Sequence, residues 1–336
     1  MVEDMAEERV RWGVISTARI GRESVNPAIQ ASSNGELVAV ASRDEERART
    51  LARDLGIPTA FGSYEALLED EGIDAVYNPL PNSLHKAWTI RAAEKGKHIL
   101  CEKPMALNAA ECREMEAAAS ANRVKLMEAF MYRFHPRTEK ALAMVREGAV
   151  GELKQIRSTF TFPLNRPNDI RWDPELGGGA LMDVGCYCVN VSRTLAGEEP
   201  VEVRAMANVG TSGVDEQLAG SLRFADGLLA HFDCALTMER THAYQVMGTK
   251  GHFRIMDAFV LGDEDTVIEQ FDLENNLTRL PVPGADQYRL MVEHFADCIL
   301  HDRPLRYGPQ EAELNMKVIE ALYESTRKEG AIVEVG

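Results

Sequence analysis

The sequence predicts a two-domain α/β protein, with a doubly wound parallel sheet followed by an α+β domain on a large, mostly antiparallel sheet. The 336 residues exceed the roughly 100–200 of a typical single domain. Short apolar runs alternate with helical patterns up to about residue 130, as in right-handed βαβ units. Strand patterns separated by hairpin turns follow. We therefore place the domains at 1–130 and 131–336, with the final helices able to pack back on the first domain.

Predicted strands and helices alternate in the first domain. Apolar runs predict the strands, at residues 10–15, 37–41, 74–77, 98–101 and 124–127. The helical spacing of apolar residues predicts a helix over 44–55. A second helix is predicted over 82–95, with Asn82 as candidate N-cap. A third follows Asn108, whose spacing to Glu111 resembles a capping box. The alternation indicates a mostly parallel sheet.

The second domain mixes helices with longer β-rich segments. Extended segments are predicted at residues 153–162, 201–209, 216–224, 228–236, 243–247 and 252–256. Turns at 225–227 and 248–251 are typical of hairpins, which indicates mostly antiparallel pairing. Helices are predicted at 136–147, after the glycine run 177–179, and at 287–300 and 309–328. No repeat or flexible linker separates the two domains.

Composition excludes several functional classes. With 37 Lys and Arg against 53 Asp and Glu, the formal net charge is −16, which disfavours binding to nucleic acids and to anionic membranes. No apolar run is long enough to span a membrane, and the acidic start of the chain lacks a signal-peptide pattern, so we predict a cytoplasmic protein. The six cysteines lack metal-site spacing, and we predict reduced, mostly buried thiols and no metal site.

The first strand leads into a candidate phosphate-binding loop. In a dinucleotide-binding G-x-G-x-x-G pattern the three glycine positions are here Ser16, Ala18 and Gly21. Serine and alanine are small enough for backbone N–H groups to approach a pyrophosphate at the start of a helix. We therefore predict cofactor contacts from residues 16–20, which are Ser16, Thr17, Ala18, Arg19 and Ile20. An ordinary strand–helix turn is the alternative.

The end of the second strand bears on the choice of cofactor. NAD-binding domains usually place an acidic residue there to bind the ribose hydroxyls, whereas this chain has Ser42 and Arg43. A carboxylate would repel a 2′-phosphate, while a guanidinium can pair with it or stack on adenine. The sequence therefore favours NADP(H) over NAD(H). The alternative makes Arg43 a solvated charge at the start of the next helix.

Further motifs stand in a specific order along the chain. They are N-P-L-P-N-S-L-H at 78–85, E-K-P at 102–104, E-A-F-M-Y-R-F-H-P at 128–136, R-W-D-P at 171–174 and G-G-G-A-L-M-D-V-G-C-Y at 177–187. Together they resemble the glucose–fructose oxidoreductase/inositol dehydrogenase (Gfo/Idh/MocA) family over nearly the whole chain. The most similar branch contains sugar dehydrogenases, dihydrodiol dehydrogenases and ketosugar reductases. Its members tend to have the sequence S-T-A in the phosphate loop.

The resemblance implies a Rossmann domain, a second domain with an open-faced sheet, and a set of site residues. Lys103 would lie beside the nicotinamide ribose and the substrate, while Asp183 and Tyr187 would project from a helix of the second domain. Inositol dehydrogenases have His in place of this tyrosine. Further cofactor contacts would come from Pro79, Leu80, Asn82, His85, Glu102, Arg171 and Trp172. For His85 and Trp172, purely structural roles stay open. A cis peptide before Pro104 is also implied.

The residues themselves agree with this chemistry. Asp183 and Tyr187 are four residues apart and share a helix face, which Asn190 extends. Tyr187 would exchange the proton of the substrate hydroxyl, and the charge of Lys103 would favour the tyrosinate. Asp183 would orient the lysine or a substrate hydroxyl. Each residue alone also has a purely structural alternative. In these alternatives Lys103 is a surface lysine, Asp183 is a helix N-cap and Tyr187 is a half-buried aromatic ring.

The sequence therefore predicts an NADP(H)-dependent oxidoreductase acting on CH–OH groups of a sugar or sugar-like polyol, of the pyranose or xylose dehydrogenase or ketosugar reductase type. Residues 162–169 and His242 are expected to shape the substrate pocket. Relatives pair through the open sheet face, whose apolar area predicts a homodimer or homotetramer. Two alternatives are a non-catalytic NADP-sensing regulator and an NAD-dependent glycoside hydrolase. Retention of Lys103, Asp183 and Tyr187 disfavours the first, and the second predicts no net nicotinamide turnover.

Overall fold

The computed structural model describes residues 8–336; the acidic residues 1–7, which contributed to the signal-peptide prediction, lie outside the described residues. The chain divides into two compact units. The first comprises the chain up to Ala106, Ala110–Ala129 and Tyr288–Ala312, and the second comprises Leu107–Ala109, Phe130–Gln287 and Glu313–Gly336.

The secondary structure follows the predicted alternation and adds short elements. The strands are β1 (Val10–Ile15), β2 (Gly35–Ala41), β3 (Thr59–Phe61), β4 (Ala75–Asn78), β5 (His98–Cys101), β6 (Leu126–Glu128), β7 (Leu153–Pro163), β8 (Pro200–Val209), β9 (Asp215–Phe224), β10 (Leu229–Ala235), β11 (Thr237–Gly248), β12 (Gly251–Met256), β13 (Thr266–Phe271), β14 (Leu277–Val282) and β15 (Val333–Glu334). The α-helices are α1 (Asn26–Ala31), α2 (Glu45–Leu55), α3 (Tyr64–Glu69), α4 (Asn82–Glu94), α5 (Ala109–Ala121), α6 (Pro136–Arg146), α7 (Cys186–Ala196), α8 (Gln287–Leu300) and α9 (Pro309–Arg327).

The first unit is built on six parallel strands in the order β3-β2-β1-β4-β5-β6. The order reverses between β1 and β4, and in such sheets ligands bind at the carboxyl ends of the strands beside this reversal. Trp12 on β1 is fully buried and packs on Phe295 of α8, with ring centroids 5.6 Å apart. The predicted parallel sheet is therefore confirmed, with β3 as an additional short edge strand.

Helix α4 starts differently from the prediction. Asn82 is not the N-cap, because Pro81 takes that position with an extended backbone and Asn82 is already the first helical residue. At α2 a side-chain cap is present, since the Asp44 carboxylate accepts a hydrogen bond from the Arg47 N–H at 3.3 Å. The helix ends at Gly56, whose φ of 66° suits glycine.

The second unit is built on nine strands in the order β14-β13-β12-β11-β7-β10-β9-β8-β15. Every neighbouring pair is antiparallel except β7 and β10, which run parallel. Side chains of the row Ala205, Gly220, Phe232, Ser158, Tyr244 and Ile255 are buried on one face. At Gly220 a Cβ would lie 3.1 Å from Leu322 of α9, which shows how closely this helix covers the buried face. The predicted fold class is therefore confirmed.

The opposite face of this sheet is exposed and of mixed character. A row across eight strands consists of Arg204, Ser221, His231, Arg157, Gln245, Arg254, Glu269 and Arg279. On both sides of this polar row stand exposed apolar side chains, among them Met206, Leu229 and Met256. Outward positions alternate with buried ones along each strand, so the members of this row share the exposed face. The apolar area that predicted subunit pairing is therefore interrupted by a predominantly basic row.

All six cysteines are buried free thiols, as predicted. Three belong to the first unit (Cys101, Cys112 and Cys298) and three to the second (Cys186, Cys188 and Cys234). Burial raises the pKa of the Cys101, Cys188 and Cys234 thiols. A buried neutral thiol is a poor nucleophile. The described cysteines therefore behave as small apolar core residues.

Candidate active site

The predicted phosphate loop follows β1 at the sheet edge where the strand order reverses. Residues 16–18 form the loop, and helical backbone begins at Arg19 and Ile20. Ser16 has a φ of 138°, a conformation that L-residues rarely adopt, and its Oγ accepts a hydrogen bond from the Ala18 N–H at 2.8 Å. The serine thus reproduces the glycine conformation that its position in the motif requires.

The third glycine position of the motif, Gly21, lies on the helix behind the loop, where an added Cβ would make ordinary van der Waals contacts. A Cβ on Gly21 would lie 3.4 Å from the Asn26 Oδ1 and 3.6 Å from the Tyr77 ring. Residues Gly21–Val25 form a π-helical turn that runs into α1. Helix N-termini carry unsatisfied N–H groups and a partial positive charge, which suit a pyrophosphate. The loop residues present therefore fit a dinucleotide.

Ser42 and Arg43 follow β2 at the same sheet edge. The Ser42 Oγ accepts a hydrogen bond from the Asp44 N–H at 3.1 Å, so its side chain helps to start α2. Arg43 is exposed and forms no ion pair within residues 8–336, whereas Arg47 and Arg49 on α2 pair with Asp44 and Glu45. Arg43 is thus a cation that no neighbouring carboxylate neutralises, as a 2′-phosphate site requires.

His85 links the loop after β4 to the E-K-P segment. It is fully buried, with Nδ1 3.0 Å from the Pro104 carbonyl oxygen and Nε2 2.7 Å from the Leu80 carbonyl oxygen. Burial lowers the pKa of His85 to about 4, so the ring is neutral at neutral pH and donates to one of the two carbonyls. Both ring nitrogens face the protein's own backbone. The Lys103–Pro104 peptide is cis, as predicted.

Glu102 supports the backbone of Lys103. Its Oε1 accepts a hydrogen bond from the Tyr77 hydroxyl at 2.6 Å, and its Oε2 accepts one from the Lys103 N–H at 3.2 Å. Tyr77 is fully buried on β4. The carboxylate predicted as a cofactor contact is therefore also a brace between two strand ends. Sequence reasoning missed Tyr77, because an apolar strand pattern does not reveal a hydroxyl partner 25 residues away.

In the second unit, Asp183 lies on a π-helical turn, Leu181–Gly185, and Tyr187 lies on α7 directly after it. A helix therefore follows the glycine run, as predicted, and it begins with a π-turn. The Cys186 N–H reaches back to the Leu181 carbonyl, five residues earlier, which widens the turn that carries Asp183. Single π-turns inside helices are frequent at functional sites.

Asp183 ends a chain of alternating charges. Its Oδ2 lies 2.5 Å from the Arg171 Nε, and the Arg171 guanidinium lies 3.0 Å from the Asp169 Oδ1. Arg166 in turn contacts Asp169 at 2.9 Å. The negative charge of Asp183 raises the pKa of Arg171. Trp172 is half-exposed and donates to the Arg166 carbonyl at 3.0 Å, so it is not a core residue.

Tyr187 is buried among aromatic rings. The rings of Phe130, Phe160 and Phe259 lie 5.1 to 5.3 Å from its own, and its hydroxyl lies 3.4 Å from the Met131 sulfur. A thioether is a weak hydrogen-bond acceptor. His242, expected in the substrate pocket, is buried behind this group and accepts a hydrogen bond from the Phe259 N–H at 3.3 Å.

The glycine run before the π-turn is explained by close approaches. A Cβ on Gly178 would lie 2.4 Å from the Arg171 carbonyl oxygen, and one on Gly179 would lie 2.2 Å from the Asp215 Oδ1. The Asp215 Oδ2 accepts a hydrogen bond from the Leu181 N–H at 2.7 Å. Sequence reasoning missed Asp215. The glycines signalled a close approach, but not what approaches.

A parallel sheet with a glycine-like phosphate loop, and a second unit with an acid and a phenol on one helix, define a dinucleotide-dependent oxidoreductase. Sequence comparison gives the same result. Residues 10–130 match an oxidoreductase family with an NAD-binding Rossmann fold, and residues 138–254 match the GFO/IDH/MocA C-terminal domain. The chain belongs to the Gfo/Idh/MocA family and is an NAD(P)-dependent oxidoreductase, as predicted.

Three similar proteins represent the predicted branch. D-xylose 1-dehydrogenase (NADP(+)) 2 of Haloferax volcanii is 40% identical over 325 residues, covering 96% of this chain and 99% of that protein. Trans-1,2-dihydrobenzene-1,2-diol dehydrogenase of Xenopus laevis is 34% identical, covering 86% and 89%. KijD10, a 3-ketoreductase from Actinomadura kijaniata solved with NADP and TDP-benzene, superposes with a TM-score of 0.90 at 28% identity, covering 95% and 98%. No helix within residues 8–336 is long and apolar enough to cross a membrane.

Proposed function

We propose that this enzyme transfers hydride between NADP(H) and a CH–OH group of a sugar or sugar-like polyol, as a pyranose or xylose dehydrogenase or a ketosugar reductase. The observation that carries the proposal is the arrangement on one helix of the second unit. There the Asp183 carboxylate, held by Arg171 at 2.5 Å, precedes the buried Tyr187 by four residues. The xylose dehydrogenase and the 3-ketoreductase support a carbohydrate substrate.

The protein's own groups move and hold the proton in the proposed mechanism. When bound, the nicotinamide supplies or accepts the hydride. Tyr187 takes the proton of the substrate hydroxyl during oxidation and returns it during reduction. Lys103 stabilises the tyrosinate through its positive charge. Asp183, fixed by Arg171, orients the lysine or a substrate hydroxyl.

The preference for NADP(H) rests on Arg43. Its guanidinium is exposed, and no carboxylate within the described residues pairs with it. Ser42 and Arg43 stand where an NAD-specific domain would have an acidic residue. The phosphate loop contributes Ser16, Thr17 and Ala18 together with the helix start at Arg19 and Ile20. The further cofactor contacts proposed are Pro79, Leu80, Asn82, His85, Glu102, Lys103, Arg171 and Trp172.

Assembly and location stay predictions. The mixed exposed face of the nine-stranded sheet supports pairing of subunits into a homodimer or homotetramer, with both apolar contacts and charges at the interface. The non-catalytic regulator is disfavoured because Lys103, Asp183 and Tyr187 are all retained. The glycoside hydrolase would leave the nicotinamide without net turnover, which a rate measurement distinguishes. A cytoplasmic location follows only from the sequence pattern.

A substrate screen tests the proposal. Aldoses, ketosugars and diols are offered with NADP⁺ or NADPH at acidic and alkaline pH, and the absorbance of reduced nicotinamide is followed. We expect turnover of at least one sugar or polyol. Tyr187→Phe serves as the negative control, and Tyr244→Phe as the matched control, since Tyr244 is a buried tyrosine of the same unit that the mechanism does not use. Cleavage of a glycoside without net nicotinamide turnover would contradict the proposal.

A further inference from the structure

Asp215 joins three elements of the second unit through one buried carboxylate. It is the first residue of β9 and is 5% exposed. Its Oδ2 accepts the Leu181 N–H at 2.7 Å, at the start of the π-turn, and its Oδ1 accepts the Tyr323 hydroxyl at 2.9 Å, from α9. The start of the segment that carries Asp183 and Tyr187 is therefore tied to the sheet and to the last helix.

The backbone is shaped for this contact. Gly179 has a φ of 116°, and a Cβ there would lie 2.2 Å from the Asp215 Oδ1 and 3.2 Å from the Tyr323 hydroxyl. No larger residue fits between the carboxylate and the chain. The glycine that starts the helix is thus required by the approach of Asp215.

Asp215 keeps a charge where a neutral group would be cheaper to bury. No cation pairs with it within the described residues, and its ionised form interacts with an N–H, an O–H and the positive end of a helix. Burying an unpaired carboxylate is costly, but hydrogen bonds to an ionised acceptor are roughly twice as strong as neutral ones. The strong hydrogen bonds to the start of the helix therefore offset part of the cost of desolvating the carboxylate.

We propose that Asp215 is a positioning residue for the oxidoreductase reaction, because its ionised carboxylate holds the π-turn and thereby fixes Asp183 and Tyr187. This inference rests on the proposed roles of those two residues. Asp215 itself does not reach substrate or cofactor in the proposal. It acts through the segment that begins two residues before Asp183.

The proposal implies a pH dependence. Burial raises the pKa of Asp215 to about 6. Of the titratable groups around it, Tyr323 of α9 and Cys234 of β10 interact with it electrostatically, and Cys234 in turn interacts with Asp233, Cys186 and Cys188. Burial raises the pKa of Tyr323 and of Cys234, so both are neutral at pH 6. The hydrogen bond from Tyr323 lowers the pKa of Asp215. We therefore expect the grip of Asp215 on the π-turn to weaken below about pH 6, where the carboxylate becomes protonated. Removing the hydrogen bond from Tyr323 should shift this weakening to higher pH.

The experiment measures kcat against pH, with the best sugar and saturating NADP⁺, for Asp215→Asn and Tyr323→Phe. Asp226→Asn is the matched control, since it removes an exposed carboxylate from the turn at the other end of β9. Hydrogen exchange of residues 181–187, corrected for the intrinsic exchange rate and expressed relative to the strands of the same unit, is measured over the same pH range and needs no substrate. NADP⁺ binding reports mainly on the first unit, which holds the phosphate loop and Arg43.

We expect Asp215→Asn to lower kcat about tenfold, as a small misplacement of reacting groups does. It should leave NADP⁺ binding unchanged and abolish the acid limb near pH 6. Tyr323→Phe should move that limb to higher pH, and it serves alone if Asp215→Asn does not fold. Protection of 181–187 should fall below pH 6 in the wild type and be independent of pH in Asp215→Asn.

Wild-type kcat and an unchanged pH profile in both variants would overturn the proposal, even if helix protection changed, because Asp215 would then be structural only. If the wild type turns over no sugar or polyol, the proposed function fails separately. The exchange measurement still decides the inference in that case. A loss of protection below pH 6 that Asp215→Asn removes supports it, and protection independent of pH in the wild type overturns it.

Discussion

The two units hold their proposed catalytic groups by different means. In the first unit, the segment of Lys103 is held by the neutral His85 ring between two backbone carbonyls, and by the Glu102 carboxylate, which accepts hydrogen bonds from the Tyr77 hydroxyl and the Lys103 N–H. In the second unit, charged groups hold the segment of Asp183 and Tyr187, through Arg171 on one side and Asp215 on the other. The difference indicates that mild acid acts first on the tyrosine side, because the pKa of Asp215 is about 6, whereas the pKa of His85 is about 4 and its ring stays neutral there.

The largest expected effect follows from removing the proton carrier. Tyr187→Phe keeps the ring and its packing against Phe130 but removes the ionisable oxygen, and loss of one general acid or base costs about 100–10,000-fold in rate. NADP⁺ affinity, measured by fluorescence titration, should not change. Tyr244→Phe should retain wild-type turnover. Turnover of Tyr187→Phe within a few-fold of wild type would assign the proton to Lys103 and refute the proposed mechanism.

Lys103→Met tests whether the two units act together. It should also lower turnover and shift the basic limb of the pH profile, since the lysine charge favours the tyrosinate. Groups that act as one unit are non-additive, so the double variant with Tyr187→Phe should cost less than the product of the single effects. Steady-state rates of the four proteins give the answer. Strict multiplicativity would show that the two residues act independently.

Cofactor choice is expected to depend on the first unit alone. Arg43→Ala should weaken NADP⁺ binding by about 10–100-fold, as loss of a charged hydrogen bond worth about 1.5–3 kcal/mol does, and leave NAD⁺ binding nearly unchanged. Arg47→Ala is the control, because Arg47 is also exposed but pairs with Asp44. Calorimetric titration with both cofactors measures the difference between the NADP⁺ and NAD⁺ affinities. Equal affinities in the wild type would contradict the predicted preference.

The pH dependence of the free energy of unfolding should reveal the cost of burying the ionised Asp215 carboxylate in the second unit. The pKa of Asp215 rises from 3.8 unfolded to about 6 folded, so its contribution to stability is present below pH 3.8 and is lost as the pH rises through 6. At neutral pH the cost is about 3 kcal/mol. The urea midpoint of the wild type should therefore fall as the pH rises from 4 to 7.5, and this fall should be smaller in Asp215→Asn. An equal pH dependence of the midpoint in both proteins would show that Asp215 does not titrate with a raised pKa.

The smallest expected effect concerns assembly, which depends on the exposed sheet face of the second unit and not on the groups that hold the catalytic residues. Light scattering should give at least twice the 37.3 kDa of the chain. The row that contains Arg157, Arg204 and Arg254 predicts that the subunit equilibrium depends on salt concentration. A monomer at every concentration and ionic strength would leave the exposed sheet face without a role.

The sequence predicted the architecture well, because periodicity reports which faces are buried. Strands such as Val10–Ile15 and His98–Cys101 are mostly apolar and buried, and were located to the residue. The short strand β3 and the last two strands at one end of the second sheet, β13 and β14, were missed, since half-exposed strands lack such a pattern. At Asn82 the local cap pattern was overridden by the proline before it.

The candidate site was predictable only where a motif names a residue. Lys103, Asp183 and Tyr187 stand in such motifs. Their supports do not, because Tyr77 and Asp215 reach their partners across 25 and 34 residues of sequence. The π-turn under Asp183 was likewise invisible, since its sequence, L-M-D-V-G, is compatible with an α-helix. Long-range hydrogen bonds are set by the tertiary fold and leave no local trace.

The even division of the buried cysteines gives the enzyme a built-in reporter of opening. A thiol reagent reaches Cys101, Cys112 or Cys298 only when the first unit opens, and Cys186, Cys188 or Cys234 only when the second does. Labelling rates in the native buffer, resolved by peptide mapping, would therefore give the opening free energy of each unit separately. Three of these thiols thus report on the half that carries Tyr187, without any engineered label.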